Sequence, residues 1–247
     1  IERTKRKRPD SLDAYDLILR AQPLIWAYSA KENARATELC EEAVRIDPDY
    51  AAAHGFAALC YIQRTHWSGI DATSVQAALS HANFVLTSNT DDAMAIAAAG
   101  AAIAFMAGEY AAGIDALDRA VALNPNAAEA LTFSALIYSI LANLEAATDR
   151  AQRAIRLNPF DPFRCLSLGA ISRASLATGR FKDAVAWAQR SVQANPRYVA
   201  GFALLAAGQV CVGQTSDARA TAQRLLALDP NFHSTGWTSR HFADLAH

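Results

Sequence analysis

The sequence predicts an all-α protein: a right-handed superhelical solenoid of about six helical hairpins. Three observations predict it. One short helix-ending motif returns at a near-constant interval along the 247 residues. Gly (11) and Pro (8) are scarce while Ala is abundant, and that composition favours helix. Apolar residues between the motifs recur with helical period.

The motif is an apolar stretch closed by Asp or Asn and then Pro. It reads Ala43-Val44-Arg45-Ile46-Asp47-Pro48, Ala120-Val121-Ala122-Leu123-Asn124-Pro125, Ala154-Ile155-Arg156-Leu157-Asn158-Pro159 and Leu225-Leu226-Ala227-Leu228-Asp229-Pro230, with a looser copy at Ser191–Pro196. The prolines are spaced 77, 34, 37 and 34 residues apart. A further copy sits in the long first gap, where Thr90 stands in the place of Pro, and the remaining excess is an insertion, Thr65–Asp71. Pro ends each segment because it cannot continue a helix.

Taken in order, the predicted helices are 11–28 and 33–47, 50–66 and 72–88, 91–107 and 110–123, 127–141 and 144–157, 163–178 and 180–194, and 198–212 and 214–228. Pro23 inside the first predicts a kink or a late start. Within each pair a turn lies about 17 residues before the Pro, at Gly108, Ala142-Asn143, Gly179 and Gly213. Glycine there stops a helix by adopting positive φ. One such hairpin cannot bury its own apolar face, whereas stacked copies can.

These features resemble the tetratricopeptide repeat (TPR) family. The matching residues are the small ones at helix contacts (Ala36, Ala101, Ala135, Ala147, Ala184, Ala218), the turns Gly108/Tyr110 and Gly179/Phe181, and the closing pairs Ala43/Pro48, Ala120/Pro125 and Ala154/Pro159. The resemblance runs from about Leu12 to Pro230. The Trp often carried early in the first helix is replaced by His54, Ala97, Leu131 and Phe202, so the repeats are degenerate. The opening segment Arg8–Arg20, with Ala14-Tyr15-Asp16, and the ending Asp47-Pro48-Asp49-Tyr50-Ala51-Ala52-Ala53 look like the C-terminal repeat region of bacterial class III adenylate/guanylate cyclases or winged-helix transcriptional regulators. That resemblance implies a catalytic or DNA-binding domain upstream of Ile1.

The chain itself shows no catalytic motif: no P-loop, dinucleotide fingerprint, HExxH or Gly-x-Ser-x-Gly. No catalytic residue, metal ligand or cofactor is expected. Asp91-Asp92 reads as a helix start favoured by the helix dipole, and Glu41-Glu42 as a polar face. The six histidines share no ligand spacing, and His54 is expected at a helix contact. Cys40, Cys60, Cys165 and Cys211 form no C-x-x-C pair; they read as small buried side chains in a reducing compartment, with a disulfide pair as the alternative. No apolar run approaches the ~20 residues of a membrane span, and the expected location is cytoplasmic. Net charge is −1, so no global field draws the chain to nucleic acid. Residues 1–10, with Lys5-Arg6-Lys7-Arg8, read as a basic linker.

In the resembled family the first helices line a concave groove. Extrapolated here, the groove would carry Ile25, Tyr28, Leu59, Ile62, Ala98, Phe105, Leu136, Arg173 and Ala203. This lining is small and apolar and lacks a cluster of Lys, Arg and Asn to clamp a peptide carboxylate. Either it takes an apolar segment of a partner, or Ala there only permits close helix packing. His66 and Trp67 in the insertion read either as an exposed loop pair or as a ligand contact. Residues 231–247, with Phe232, Trp237 and Phe242, are expected to fold back as a cap over the last hairpin or into the groove. The expected function is a protein-interaction or regulatory module whose partner is a protein, a peptide or its own upstream domain. Homodimerisation stays open. The alternative is a small-molecule sensor using the groove.

Overall fold

A computed structural model describes residues 12–161, 163–230 and Phe232. The basic linker (1–10) and nearly all of the tail (231 and 233–247) lie outside the described residues. Twelve α-helices follow one another, with no strand among the described residues. They are α1 Leu12–Trp26, α2 Ala30–Ile46, α3 Ala51–Ser68, α4 Ala72–Thr87, α5 Ala93–Ala102, α6 Tyr110–Leu123, α7 Ala128–Ile140, α8 Leu144–Leu157, α9 Arg164–Ala177, α10 Phe181–Ala194, α11 Val199–Cys211 and α12 Thr215–Leu228. They pair as six successive hairpins, as the spacing predicts.

The chain divides into two compact units between residues 130 and 131, inside α7. In the first, α1 packs on α2, α2 on α3, α3 on both α4 and α5, and α5 on α6. In the second, α8 packs on α9, α9 on α10 and α11, and α11 on α12.

The Asp/Asn-Pro motif owes its repetition to one turn. Asp47, Asn124, Asn158, Asn195 and Asp229 each end a helix by donating their N–H to the carbonyl four residues back, at 2.9–3.1 Å. Each carbonyl then accepts from the N–H three residues on, from Tyr50, Ala127, Asp161, Tyr198 and Phe232 respectively, at 3.0–3.2 Å. In three copies the side chain adds an Asx turn: Asp47 Oδ1 accepts from the N–H of Asp49, Asn124 Oδ1 from Asn126, and Asn195 Oδ1 from Arg197. Four helix starts are capped in the expected manner. Ser29, Asp71, Asp92 and Asn143 accept backbone N–H bonds from the first turns of α2, α4, α5 and α8. Asp92 bonds both Met94 and Ala95 at 3.0 Å, so its carboxylate is a cap and not half of a catalytic pair.

The two helices of a hairpin differ in kind. In α2, α8 and α10 the buried residues form one stripe (Ala147, Ala151 and Ala154 in α8, for example) and the rest is polar. Three of the first helices have long stretches buried on every side, residues 52–60 of α3, 95–104 through α5 and 165–175 of α9, whereas α1 keeps an exposed face. Small residues permit this. A Cβ placed on Gly55 would lie 2.7 Å from Ala95 Cα, so α3 and α5 approach backbone to backbone.

Several boundaries depart from expectation. α2 starts at Ala30 and not at 33, because Ser29 supplies the cap. α3 runs to Ser68 and absorbs the start of the insertion. Residues 103–107, predicted as plain α-helix, form a π-helical turn, Ile103–Ala107, closed by Gly108 at φ 76°. α1 continues through Pro23 to Trp26. Pro23 cannot donate to the Leu19 carbonyl, and both residues lie on the exposed face of the helix. Where Gly108, Gly179 and Gly213 take φ of 75–79° at the intrahairpin turns, the fourth hairpin uses Ala142 at φ 54°.

This packing fixes the sign of two substitutions. Ala142→Gly relieves a left-handed alanine and raises stability by about 0.5–1 kcal/mol, read as a higher urea midpoint at unchanged slope. Gly55→Ala wedges α3 from α5 and lowers stability by about 1–3 kcal/mol; an unchanged midpoint would contradict the close approach.

Candidate functional site

The residues assigned to a concave lining are core residues. Ile25 and Ala98 are fully buried, and Tyr28, Leu59, Ile62, Leu136, Arg173 and Ala203 are each no more than 9% exposed. These eight positions therefore leave little exposed surface, their neighbours in the fold covering them. Phe105 alone of the nine is half-buried, and it sits on the π-helical turn.

Arg173 in α9 is buried among hydroxyls. Its Nη1 donates to Ser139 Oγ at 3.1 Å, and it lies beside the buried Tyr198, whose phenol is pushed up to about 12 by burial. Thr132 and Ser167 share a 2.8 Å hydrogen bond in the same layer, and Ser172 and Ser191 donate to the carbonyls of Ala184 and Cys165. These bonds lie inside the second unit and tie α7 to α9 and α9 to α10.

The first unit holds two side-chain constellations. The first joins the α1–α2 turn to the end of α3. Tyr28 occupies the left-handed region at φ 51°, an uncommon conformation for a bulky residue. Its hydroxyl lies 3.0 Å from His66 Nδ1, and Trp67 meets its ring edge-on at 5.5 Å between centroids. His66 and Trp67 are thus the last turn of a helix packed against Tyr28, not a loop pair; His66 remains exposed and Trp67 half-buried.

The second constellation is a hydrogen-bonded row across α2, α3 and α4. His54 Nε2 lies 2.9 Å from the Pro48 carbonyl, and its Nδ1 lies 3.0 Å from His81 Nδ1. His81 Nε2 lies 3.1 Å from Glu41 Oε1, and Tyr61 donates its hydroxyl to the same oxygen at 2.8 Å. His54 also stacks on Phe84 at 3.9 Å between centroids. The bond from His81 holds the Glu41 carboxyl below its ordinary value, against the opposing effect of burial. Burial pushes His54 down. His54 is at a helix contact as expected. Glu41 is more than a polar face, and its convergence with His81 was not visible in residue spacing.

Among the described residues no group of three or more His, Cys, Asp and Glu is arranged to hold a metal ion. Cys40, Cys60 and Cys165 are buried and form no disulfide; Cys211, expected to be buried, is exposed at the end of α11. Among the described residues no helix is long and apolar enough to cross a membrane.

No known family profile matches the chain, and no curated protein matches it. Solved structures do. PilW, a type IV pilus biogenesis factor, aligns with a TM-score of 0.62 at 16% identity, over 89% of this chain and 95% of that one. TTC0263, a TPR protein of Thermus thermophilus, aligns at 0.60 and 16% identity, over 80% and 99%. The chain has the TPR fold. Human IFIT1, seen as a dimer with m7Gppp-AAAA, aligns at 0.68 and 16% identity, over 82% of this chain and 48% of that one. This chain thus spans about half the length of IFIT1. Both constellations lie in the first two hairpins of the first unit.

Removing the hydroxyl in Tyr28→Phe should cost about 1 kcal/mol through the lost bond to His66. A double-mutant cycle with His66→Ala, followed by urea unfolding, should return a coupling of that size; additive effects would show the contact to be energetically idle.

Proposed function

We propose that the chain is a protein-interaction module of TPR type that binds a peptide or a folded partner through its outer edges rather than through an open groove. The observation that carries this reading is Phe160. It is 94% exposed, yet it sits on a turn held by hydrogen bonds: Asp161 N–H to the Asn158 carbonyl at 3.2 Å, and Arg164 Nη1 to the Pro159 carbonyl at 2.9 Å. A pinned turn that presents an aromatic ring to water matches the enrichment of aromatic anchors at interfaces. Leu157, 42% exposed, precedes it by three residues. The corresponding Ile46, Leu123 and Leu228 are also 37–42% exposed, so the same repeat position presents an aliphatic side chain in four hairpins.

The finer part of the proposal is that this module belongs to a multidomain signalling protein. It rests on the resemblance of the opening segment and of Asp47–Ala53 to the repeat region of class III cyclases and winged-helix regulators. The residues at 231–247 are taken as a cap on the last hairpin. Phe232 supports this, since it packs against Phe202, Ala203 and Leu225.

The test is affinity capture with the intact chain and with Leu157→Glu/Phe160→Glu, both charges being placed on exposed sites. A protein retained by the wild type and lost by the folded variant, at least about tenfold down (roughly 1.4 kcal/mol), supports the reading. Equal retention by both, or recovery of RNA that nuclease removes, as the IFIT1 complex with m7Gppp-AAAA would suggest, overturns it.

A further inference from the structure

The row Pro48, His54, His81, Glu41, Tyr61 carries a proton count in its geometry. The Pro48 carbonyl only accepts, so His54 Nε2 at 2.9 Å must donate to it. In a neutral ring that leaves His54 Nδ1 as an acceptor. The two Nδ1 atoms stand 3.0 Å apart, a distance that needs one hydrogen between them, and that hydrogen therefore comes from His81. His81 Nε2 faces Glu41 Oε1 at 3.1 Å, an oxygen that already accepts from Tyr61. It too has to donate when the carboxylate is ionised. All these bonds are made together in one protonation state, one proton above two neutral rings and a carboxylate.

We propose that this row is a proton-operated latch that pins α4 onto α2 and α3, closed with that one proton bound and opened either by its loss or by a second. On loss, His81 keeps a single hydrogen. If it stays on Nδ1, a bare Nε2 faces the Glu41 carboxylate. If it stays on Nε2, the two Nδ1 lone pairs face each other, unless His54 moves its hydrogen and abandons Pro48. One bond is lost in every case. On gain of a second proton, both Nδ1 atoms carry hydrogen 3.0 Å apart, and the bridge between the rings breaks.

The surroundings oppose a second proton. The titratable and charged groups facing the row are Glu41 from α2, Asp49 from the α2–α3 turn, and Tyr61 from α3. Arg64, also on α3, places its guanidinium over the Tyr61 ring at 5.3 Å. Cys60 precedes Tyr61 on α3, and Cys40 precedes Glu41 on α2; both are buried. Burial lowers His54, which opposes the second proton. Glu41 is lowered chiefly by the His81 bond. Both folded values lie below the unfolded ones of 6.5 and 4.5. The stabilisation from these two groups is therefore full above those values and lost as pH falls, which gives the acid side of the window. Departure of the shared proton gives the alkaline side. Protons reach the row from one end: the Glu41 side chain is 41% exposed, that of His81 11%, and His54 is buried.

The experiment is amide hydrogen exchange on the full chain from about pH 5 to 9, corrected for intrinsic rates, with α12 as internal reference. It is paired with long-range ¹⁵N–¹H spectra of the histidine rings. We expect protection of α4 to peak and to fall about five- to tenfold on each side, the worth of one hydrogen bond. At the peak, His81 should carry hydrogen on both nitrogens and His54 on Nε2 alone. Glu41→Gln, on a part-exposed side chain, keeps an acceptor but removes the charge, and should move the peak to lower pH; His81→Gln should flatten it. A flat wild-type profile overturns the proposal, as does a singly protonated His81 at the peak or an unmoved peak in Glu41→Gln.

Discussion

The architecture depends on one small turn. An Asp or Asn ends the second helix of a hairpin, its carbonyl reaches three residues forward, and Pro at the next position forbids further helix. The turn is the same in five places; the second hairpin instead ends at Ser88, whose N–H bonds the Phe84 carbonyl, with Thr90 where the others carry Pro. A helix with no polar face has to arrive where neighbours surround it.

Much of this was legible in the sequence. The Asp/Asn-Pro motif marks where helices stop, and helix ends at Asp47, Asn124, Asn158, Asn195 and Asp229 need only local information. The caps at Ser29, Asp71 and Asn143 follow from residue type. The burial of the extrapolated lining was legible too. The segment Ala93–Ala102 contains no charged or hydroxyl residue, and that pattern already signals a helix enclosed on all sides. Read by itself, it would have placed Ala98 in the core.

The candidate site was less legible for a different reason. His54 and His81 are 27 residues apart, and Glu41 and His81 are 40 apart. They meet only because a hairpin folds α4 back along α3 and because α2 packs on α3. No local spacing encodes this. Tyr28 is similar: its left-handed backbone is held by a histidine 38 residues away, and nothing adjacent to it in sequence announces that conformation. Phe160 was hidden by its own motif, since the residue after Asn-Pro reads simply as turn.

The enclosed first helices also bear on how the chain comes into being. A hairpin leaving the ribosome presents its apolar first helix to water until the following hairpin is made. With about 34 residues still to be synthesised at about 10 per second, that exposure lasts roughly 3 s. Helices form within about a microsecond, so translation and not folding sets the interval. Alanine and glycine, which dominate α5, present little area while they wait. The choice of small side chains along the inner layer thus protects the nascent chain as well as letting the finished helices touch.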